Sequence, residues 1–365
     1  MRRYVKIILL ILSLCFLFSG CDEGSPIDTS SVSDSISETL EQTGGKETDK
    51  QTDTEAPWKT VKVNGVSVRE ITIDIAGDGE AIEVVQISDV HFNAINDRDR
   101  EENNELVMNS YNDKTLWLKD GASATNLQRC LAYAKDADQI VLTGDNISYL
   151  SYGNLELMKK YVFDPYPDVL ACIGNHDPLR CWNAKVDESA TLEERLQILQ
   201  DNWIHDIYYT SKVIDERVMV IQLENASRFD YGLAFWESQV EPFSNDLALA
   251  REKGYAVLLY YHVPLNTGDA RYYATRPLSS GGSVMNYYST NSFVGSFSTG
   301  VDKEIYDLII NNGDIIKGAF CGHIHADYYT EIKATGADGS TVYIPQYIIN
   351  AMPYDSGHVM KVTLK

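Results

Sequence analysis

The chain is poor in cysteine and in positive charge, and its one early apolar stretch is short; each shortage closes off a class of function. Six cysteines are spread over 365 residues. Cys130, Cys172, Cys181 and Cys321 show none of the short spacings of a thiolate metal site. Cys172 and Cys321 fall in apolar runs that read as buried strands, where cysteine serves as small apolar filler. A Cys172–Cys181 disulfide stays open on sequence grounds for a chain outside the cell. Lysine and arginine number 31 against 53 acidic residues, a formal net charge of −22. Such a surface argues against nucleic acid as the main partner and against docking on anionic lipid headgroups. The apolar stretch Ile7 to Phe18 is too short to span a bilayer comfortably.

That stretch reads as part of a targeting segment. Arg2, Arg3 and Lys6 precede it, and Ser19-Gly20 lead into Cys21. The pattern resembles a bacterial lipoprotein signal over residues 1–20, with Phe18 where leucine is usual. It implies lipidation at Cys21, and therefore an extracytoplasmic, membrane-anchored protein. From Asp22 to Ala56 the chain carries ten acidic residues and two lysines among Ser, Thr and Gly. Such a composition cannot bury enough apolar surface to offset ordering entropy. Residues 21–57 are therefore expected to form the lipidated cysteine and a disordered tether, with a reach on the order of 30 Å. Residues 58–365 form the expected domain, and 44% hydrophobic residues suffice for its core without disulfide or metal.

Five of the seven histidines lie in short polar motifs, each directly after an apolar run. Asp89-Val90-His91 follows Ile82 to Ile87, and Gly144-Asp145-Asn146 follows Ile140-Val141-Leu142. Gly174-Asn175-His176-Asp177 follows Val169 to Ile173, His262 follows Val257 to Tyr261, and Gly322-His323-Ile324-His325 follows Ala319-Phe320-Cys321. Polar clusters at the ends of buried strands sit where chemistry on an open α/β sheet usually sits.

In this order, the five motifs resemble those of the calcineurin-like metallophosphoesterase superfamily. The resemblance implies an α/β fold of two mixed β-sheets packed as a sandwich and flanked by helices, four layers in all. It implies two divalent metal ions, manganese, iron or zinc. Asp89, His91, Asp145 and His325 would hold the first, and Asp145, Asn175, His262 and His323 the second, with Asp145 as the bridge. Two divalent cations against two carboxylates leave a formal surplus of about +2, which attracts a phosphoryl group within an acidic protein and activates water. His176 would protonate or stabilise the leaving group. Asp177 either orients the His176 imidazole or caps the turn.

Departures from family patterns narrow the reading. Serine/threonine protein phosphatases carry Gly-Asp-x-x-Asp-Arg-Gly at the second motif, and here Gly144 to Tyr149 lack the second acid and the arginine. Purple acid phosphatases place a tyrosine three residues after the bridging aspartate; Ser148 holds that place and Tyr149 follows one residue late. A ferric tyrosinate site is not expected. Asn146 is a candidate for substrate contact beside the bridge. The Gly-, Ser-, Asn- and Tyr-rich stretch from Asn266 to Gly300 is expected to be a substrate-facing loop, with Tyr272, Tyr273, Tyr287 and Tyr288 as candidate contacts. His205 and His358 match no motif and read as structural. Asn146-Ile147-Ser148 and Asn225-Ala226-Ser227 match the glycosylation pattern, which carries no meaning in a bacterial lipoprotein.

Helical spacing of Leu127, Cys130, Leu131 and Ala134, and of Ile305, Leu308 and Ile309 with Gly313 as the expected stop, alternates with strand-like runs. After His325 the remaining residues include the strand-like Val342-Tyr343-Ile344 and Val359 to Leu364, with little room for a second domain. The expected function is hydrolysis of phosphomonoesters or phosphodiesters at the outer side of the membrane, on a small phosphorylated substrate. Alternatives are a pyrophosphate or nucleotide hydrolase with the same site, or a non-catalytic surface lipoprotein that binds phosphorylated ligands.

Overall fold

Short runs in which every second side chain meets a different apolar surface set the architecture. The computed structural model describes residues 55–117, 122–180, 190–228, 234–265, 273–274, 299–353 and 356–365. Among these, strands β1 (Lys59–Val63), β2 (Val66–Ile73), β3 (Ile82–Ile87), β4 (Gln139–Thr143), β5 (Leu170–Cys172) and β13 (His358–Leu364) form one sheet in the order β1-β2-β13-β3-β4-β5. The other sheet is built from β6 (Tyr209–Ile214), β7 (Val218–Leu223), β8 (Ala256–Tyr260), β9 (Tyr273–Ala274), β10 (Ile316–Cys321), β11 (Tyr328–Thr335) and β12 (Thr341–Ile348), in the order β6-β7-β8-β10-β12-β11-β9. Both sheets are mixed: β3, β4 and β5 run parallel, as do β7, β8 and β10, with antiparallel strands beside them.

The period of two along each strand explains the layers. In β3, Ile82 and Val84 face the second sheet while Val85 and Ile87 face helices; in β4, Val141 faces the sheet and Ile140 and Leu142 the helices. The second sheet repeats this, with Leu258, Tyr260 and Phe320 facing inwards and Val257, Leu259 and Ala319 facing helices. Tyr260, Phe320 and Tyr347 stack in the shared layer, with centroids 4.9 and 5.5 Å apart. Helices α1 (Asp97–Glu102), α2 (Glu105–Trp117), α3 (Ala122–Ala134), α4 (Tyr152–Met158) and α5 (Leu192–Asn202) precede the strands of the second sheet. The apolar faces of α3, α4 and α5 cover the first sheet. Helices α6 (Val240–Lys253) and α7 (Gly300–Ile310) cover the second. The result is the expected four layers, helices, sheet, sheet, helices. Each fully buried aliphatic side chain in them contributes roughly 1.5–3 kcal/mol.

The helix on α3 takes the face expected from Leu127, Cys130, Leu131 and Ala134, all of them buried. Helix α7 differs from expectation at its end: it stops at Ile310 with Asn311 as its cap, so Gly313 lies in the following turn. Gln86 ties the two sheets together at their carboxyl edge, where its amide donates to Thr143 Oγ1 (2.9 Å) and to the Cys321 carbonyl (2.8 Å). Cys130, Cys172 and Cys321 are buried free thiols, and Cys181 lies outside the described residues. So do residues 1–54, including Cys21. Among the described residues no helix is long and apolar enough to cross a membrane.

Candidate metal centre

Five strands end side by side, and each hands its chain to a polar turn within a few residues. Asp89 and His91 follow β3, Asp145 follows β4, Asn175 follows β5, His262 follows β8, and His323 and His325 follow β10. The first two turns continue as a paired ribbon: Asp89 N donates to the Gly144 carbonyl (3.0 Å), His91 N to that of Asp145 (2.9 Å) and Phe92 N to that of Asn146 (3.0 Å). Gly322 N donates to the His262 carbonyl (3.0 Å), which couples the turns of the second sheet.

Backbone strain is concentrated here. Of the described non-glycine residues with positive φ, Asp89, His91, Asp145, His323 and His325 (φ 48–70°) all belong to these turns. Such conformations cost of order 1–3 kcal/mol each and persist where surrounding structure imposes them, most often at functional sites. Glycine provides the room. A Cβ on Gly144 would stand 2.5 Å from His262 Nδ1, and one on Gly174 would overlap the Asp145 main chain and carboxylate. One on Gly322 would overlap Ser88 Oγ and the Asp89 carboxylate.

Donor atoms of Asp89, His91, Asp145 and His325 lie within 4.8 Å of one another, and so do those of Asp145, His262 and His323. Asp145 belongs to both groups. His91 Nε2 and His325 Nε2 face each other at 3.0 Å, and His325 Nε2 is 3.1 Å from Asp89 Oδ1. On the other side, Asn175 Oδ1 stands 3.1 Å from His262 Nε2 and 2.9 Å from His323 Nδ1, and His262 Nε2 is 3.3 Å from Asp145 Oδ2. The ring orientation of His262 is set from behind by Nδ1 donating to the Thr143 carbonyl (2.7 Å). That bond leaves Nε2 directed at the centre.

The electrostatics suit a cation. Burial opposes ionisation of Asp145, but His262, His176 and His91 outweigh it and hold its carboxyl well below the usual range. Burial pushes His91 well below its ordinary value, and burial together with His262 pushes His323 down to about 3. Both are neutral imidazoles. For His262 burial also disfavours charge, yet Asp145 and Asp89 raise it to about 9. The carboxylates thus draw positive charge into a buried pocket whose converging atoms are hard oxygens and imidazole nitrogens, a donor set that fits first-row divalent metals.

His176 lies at the rim. Its main-chain N–H donates to Asp145 Oδ1 (2.8 Å) and its Nδ1 donates to the Ser148 carbonyl (3.1 Å), so Nε2 is turned towards the centre, 4.0 Å from Asp145 Oδ2. Its side chain is 18% exposed and that of His325 27%, against 0–3% for Asp89, His91, Asp145 and His262. The centre therefore opens to solvent on the His176–His325 side.

Asp177 and Asn146 are both taken up by the turns around them. Asp177 accepts from Gly174 N (2.6 Å), Ile147 N (2.9 Å) and Asn146 Nδ2 (3.1 Å) and makes no hydrogen bond to the His176 ring. It closes the turn, one of the two roles the sequence left open for it. Asn146 does not face substrate: it is fully buried, and its amide donates to the Cys172 carbonyl (2.8 Å) and to Asp177. The left-handed turn at Asp145 sends successive side chains to opposite sides, one to the centre and the next to the core. Tyr149 is also directed away, its hydroxyl donating to Asn93 Oδ1 (2.8 Å). Tyr272, Tyr287 and Tyr288 lie outside the described residues, as does the Tyr273 side chain; the Tyr273 backbone pairs with Tyr329 as edge strand β9.

His205 accepts from Ala171 N (2.9 Å), and His358 Nδ1 accepts from Arg69 (2.9 Å); both are structural. Asn225 is fully buried and holds the turn after His262 through both directions of the Val263 peptide, accepting from its N–H (3.0 Å) and donating to its carbonyl (2.6 Å). Two site residues carry no motif signal. Ser88 donates to Asp89 Oδ2 (2.5 Å), and Lys114 on α2 exerts its charge on His91, His176 and Asp145.

A family model described as calcineurin-like phosphoesterase matches residues 82–327. No curated protein matches the sequence. Among solved structures, a dimetal phosphatase from Danio rerio is similar at 13% identity, over 74% of this chain and 88% of that one, with a TM-score of 0.37. A purple acid phosphatase from yellow lupin (Lupinus luteus) seeds is similar at 14% identity, over 78% of this chain and 44% of that one, with a TM-score of 0.41.

Proposed function

The chain belongs to the calcineurin-like phosphoesterase family, and from that premise we propose that it is a two-metal hydrolase of phosphate esters. Asp89, His91, Asp145 and His325 would hold one divalent ion, and Asp145, Asn175, His262 and His323 the other. The observation that carries this reading is that Asp145 belongs to both donor groups. When bound, the pair supplies Lewis acidity at the phosphoryl oxygens and an activated water.

This chain's own residues supply the rest. Thr143 fixes the His262 ring through its carbonyl, Ser88 orients the Asp89 carboxylate, and the Ser148 carbonyl sets the tautomer of His176. With Nδ1–H held by Ser148, the imidazolium form of His176 turns its Nε2–H towards the centre, where it can deliver that proton to the departing alkoxide and be left as the neutral Nδ1–H tautomer. A protein that only captured phosphorylated ligands would have no use for an acid so placed.

The test is metal analysis of the purified protein, with turnover of p-nitrophenyl phosphate and its bis-ester in manganese. About two metals per chain and hydrolysis of at least one ester are expected. Two metals without hydrolysis would leave a binding protein instead.

We also propose the location implied by the leader, a lipid anchor at Cys21 and an acidic tether. Cys21→Ser should move the protein from the membrane fraction to the soluble fraction or leave it unprocessed, with activity retained. Unchanged membrane retention of a fully processed variant would count against the anchor.

A further inference from the structure

We infer that Lys114 is a phosphate-binding residue of this centre: it supplies, from α2, the cation that the second motif lacks, and it makes the site favour a dianionic phosphomonoester over a diester. The inference rests on the phosphoesterase reading and deepens it.

Geometry comes first. The carboxyl-terminal half of α2 is pinned on two sides. Ser110 Oγ donates to the Arg180 carbonyl (3.2 Å), in the turn that follows His176, and Thr115 Oγ1 accepts from Asn93 Nδ2 (3.2 Å), in the turn that follows His91. Asn93 is itself held by the Tyr149 hydroxyl (2.8 Å), so this support reaches the Asp145 turn as well. Lys114 is four residues from Ser110, hence on the same helix face, and adjacent to Thr115. It therefore lies on the helix face between the turns that follow His91 and His176.

The electrostatic pattern agrees with that placement. Burial lowers the Lys114 amine from its ordinary value while Asp145 opposes the shift. His91 and His176, whose rings meet edge to face with centroids 5.1 Å apart, both feel its charge, and on each it disfavours protonation. A half-buried ammonium outside the two donor groups adds one charge to the site without occupying a coordination position. A phosphomonoester carries about two negative charges at neutral pH because its second pKa is about 6, whereas a diester carries one. A third cationic partner discriminates between them, and the ammonium is a compact point charge suited to a non-bridging oxygen.

The experiment compares metal-loaded wild type, Lys114→Gln and Lys114→Arg. Inorganic phosphate binding is measured by calorimetry, and kcat and KM are measured on a nitrophenyl monoester and diester. Removing a charge-assisted hydrogen bond should weaken phosphate binding roughly 10- to 100-fold. KM for the monoester should rise with it, kcat/KM for the diester should fall less, and arginine should restore most of the loss. Metal content should stay at the wild-type value. Wild-type phosphate affinity in Lys114→Gln overturns the inference, as does loss of metal from that variant, which would mark Lys114 as structural support. If wild type holds its metals yet neither binds phosphate nor hydrolyses either ester, the phosphoesterase reading itself fails. If wild type does both and the Lys114 variants behave like it, the reading stands and the role of Lys114 falls.

Discussion

Asp145→Asn should leave a folded protein that holds well under two metals per chain and has lost turnover with them. The side chain is the member common to both donor groups, it accepts from His176 N at 2.8 Å and it stands 3.3 Å from His262 Nε2. The amide keeps the shape and removes the charge. By formal count the site then rises from about +2 to about +3, which disfavours the second cation. Altering outer-shell partners of a metal typically costs 10–100-fold in affinity, so replacing a shared carboxylate should exceed roughly 100-fold. Metal analysis after dialysis, beside circular dichroism of the metal-free forms, separates this from misfolding. Two tightly held metals and normal turnover would show that the bridge lies elsewhere.

His176→Ala should produce the complementary result, full metal content with kcat reduced roughly 10²- to 10⁴-fold, the usual range for a positioned acid or base. Its ring touches the centre from the rim, with Nδ1 committed to Ser148 and Nε2 turned inwards. The loss should be smaller for nitrophenyl than for alkyl phosphates, because nitrophenolate departs without a proton. Equal losses on both would assign His176 to charge stabilisation or positioning. The main-chain bond to Asp145 survives the substitution, so metal loss is not expected.

The strands that carry the motifs were legible because each is a short apolar run closed by a polar turn. Runs such as Ile140-Val141-Leu142 and Val257 to Tyr261 are too short for a helix of ordinary length and are bounded by turn residues, which favours a strand. The approach of Asp89 and His325, far apart in sequence, was legible through family resemblance alone; no local pattern brings β3 beside β10. What the sequence did not show is direction at fine scale. Asn146 and Asp177 neighbour Asp145 and His176 in the chain, yet the tight turns point them into the core, and motif adjacency cannot distinguish the two sides of a turn. The return of β13 to the first sheet, between β2 and β3, was likewise invisible, since its alternation fits an interior place in either sheet. Lys114 sits in a polar helix with no motif, and only the contacts of Ser110 and Thr115 reveal which way it faces.

The division of the donors between the two sheets has a mechanical consequence. Asp89, His91, Asp145 and Asn175 come from the first sheet, and His262, His323 and His325 from the second. Each donor group draws on both, so neither sheet alone supplies a complete donor set. Cations bound there would act as a clasp across the sandwich, resisting the sliding of one sheet over the other at the carboxyl edge. A ligand at 100 times its dissociation constant adds about 2.7 kcal/mol of stability per independent site. The interface between the sheets is apolar and non-directional at its centre, with stacked Tyr260, Phe320 and Tyr347, and its hydrogen bonds, such as Gln86 to the Cys321 carbonyl, lie towards the carboxyl edge. The register of one sheet upon the other would then be locked at its edge by the same ions that would serve the proposed chemistry.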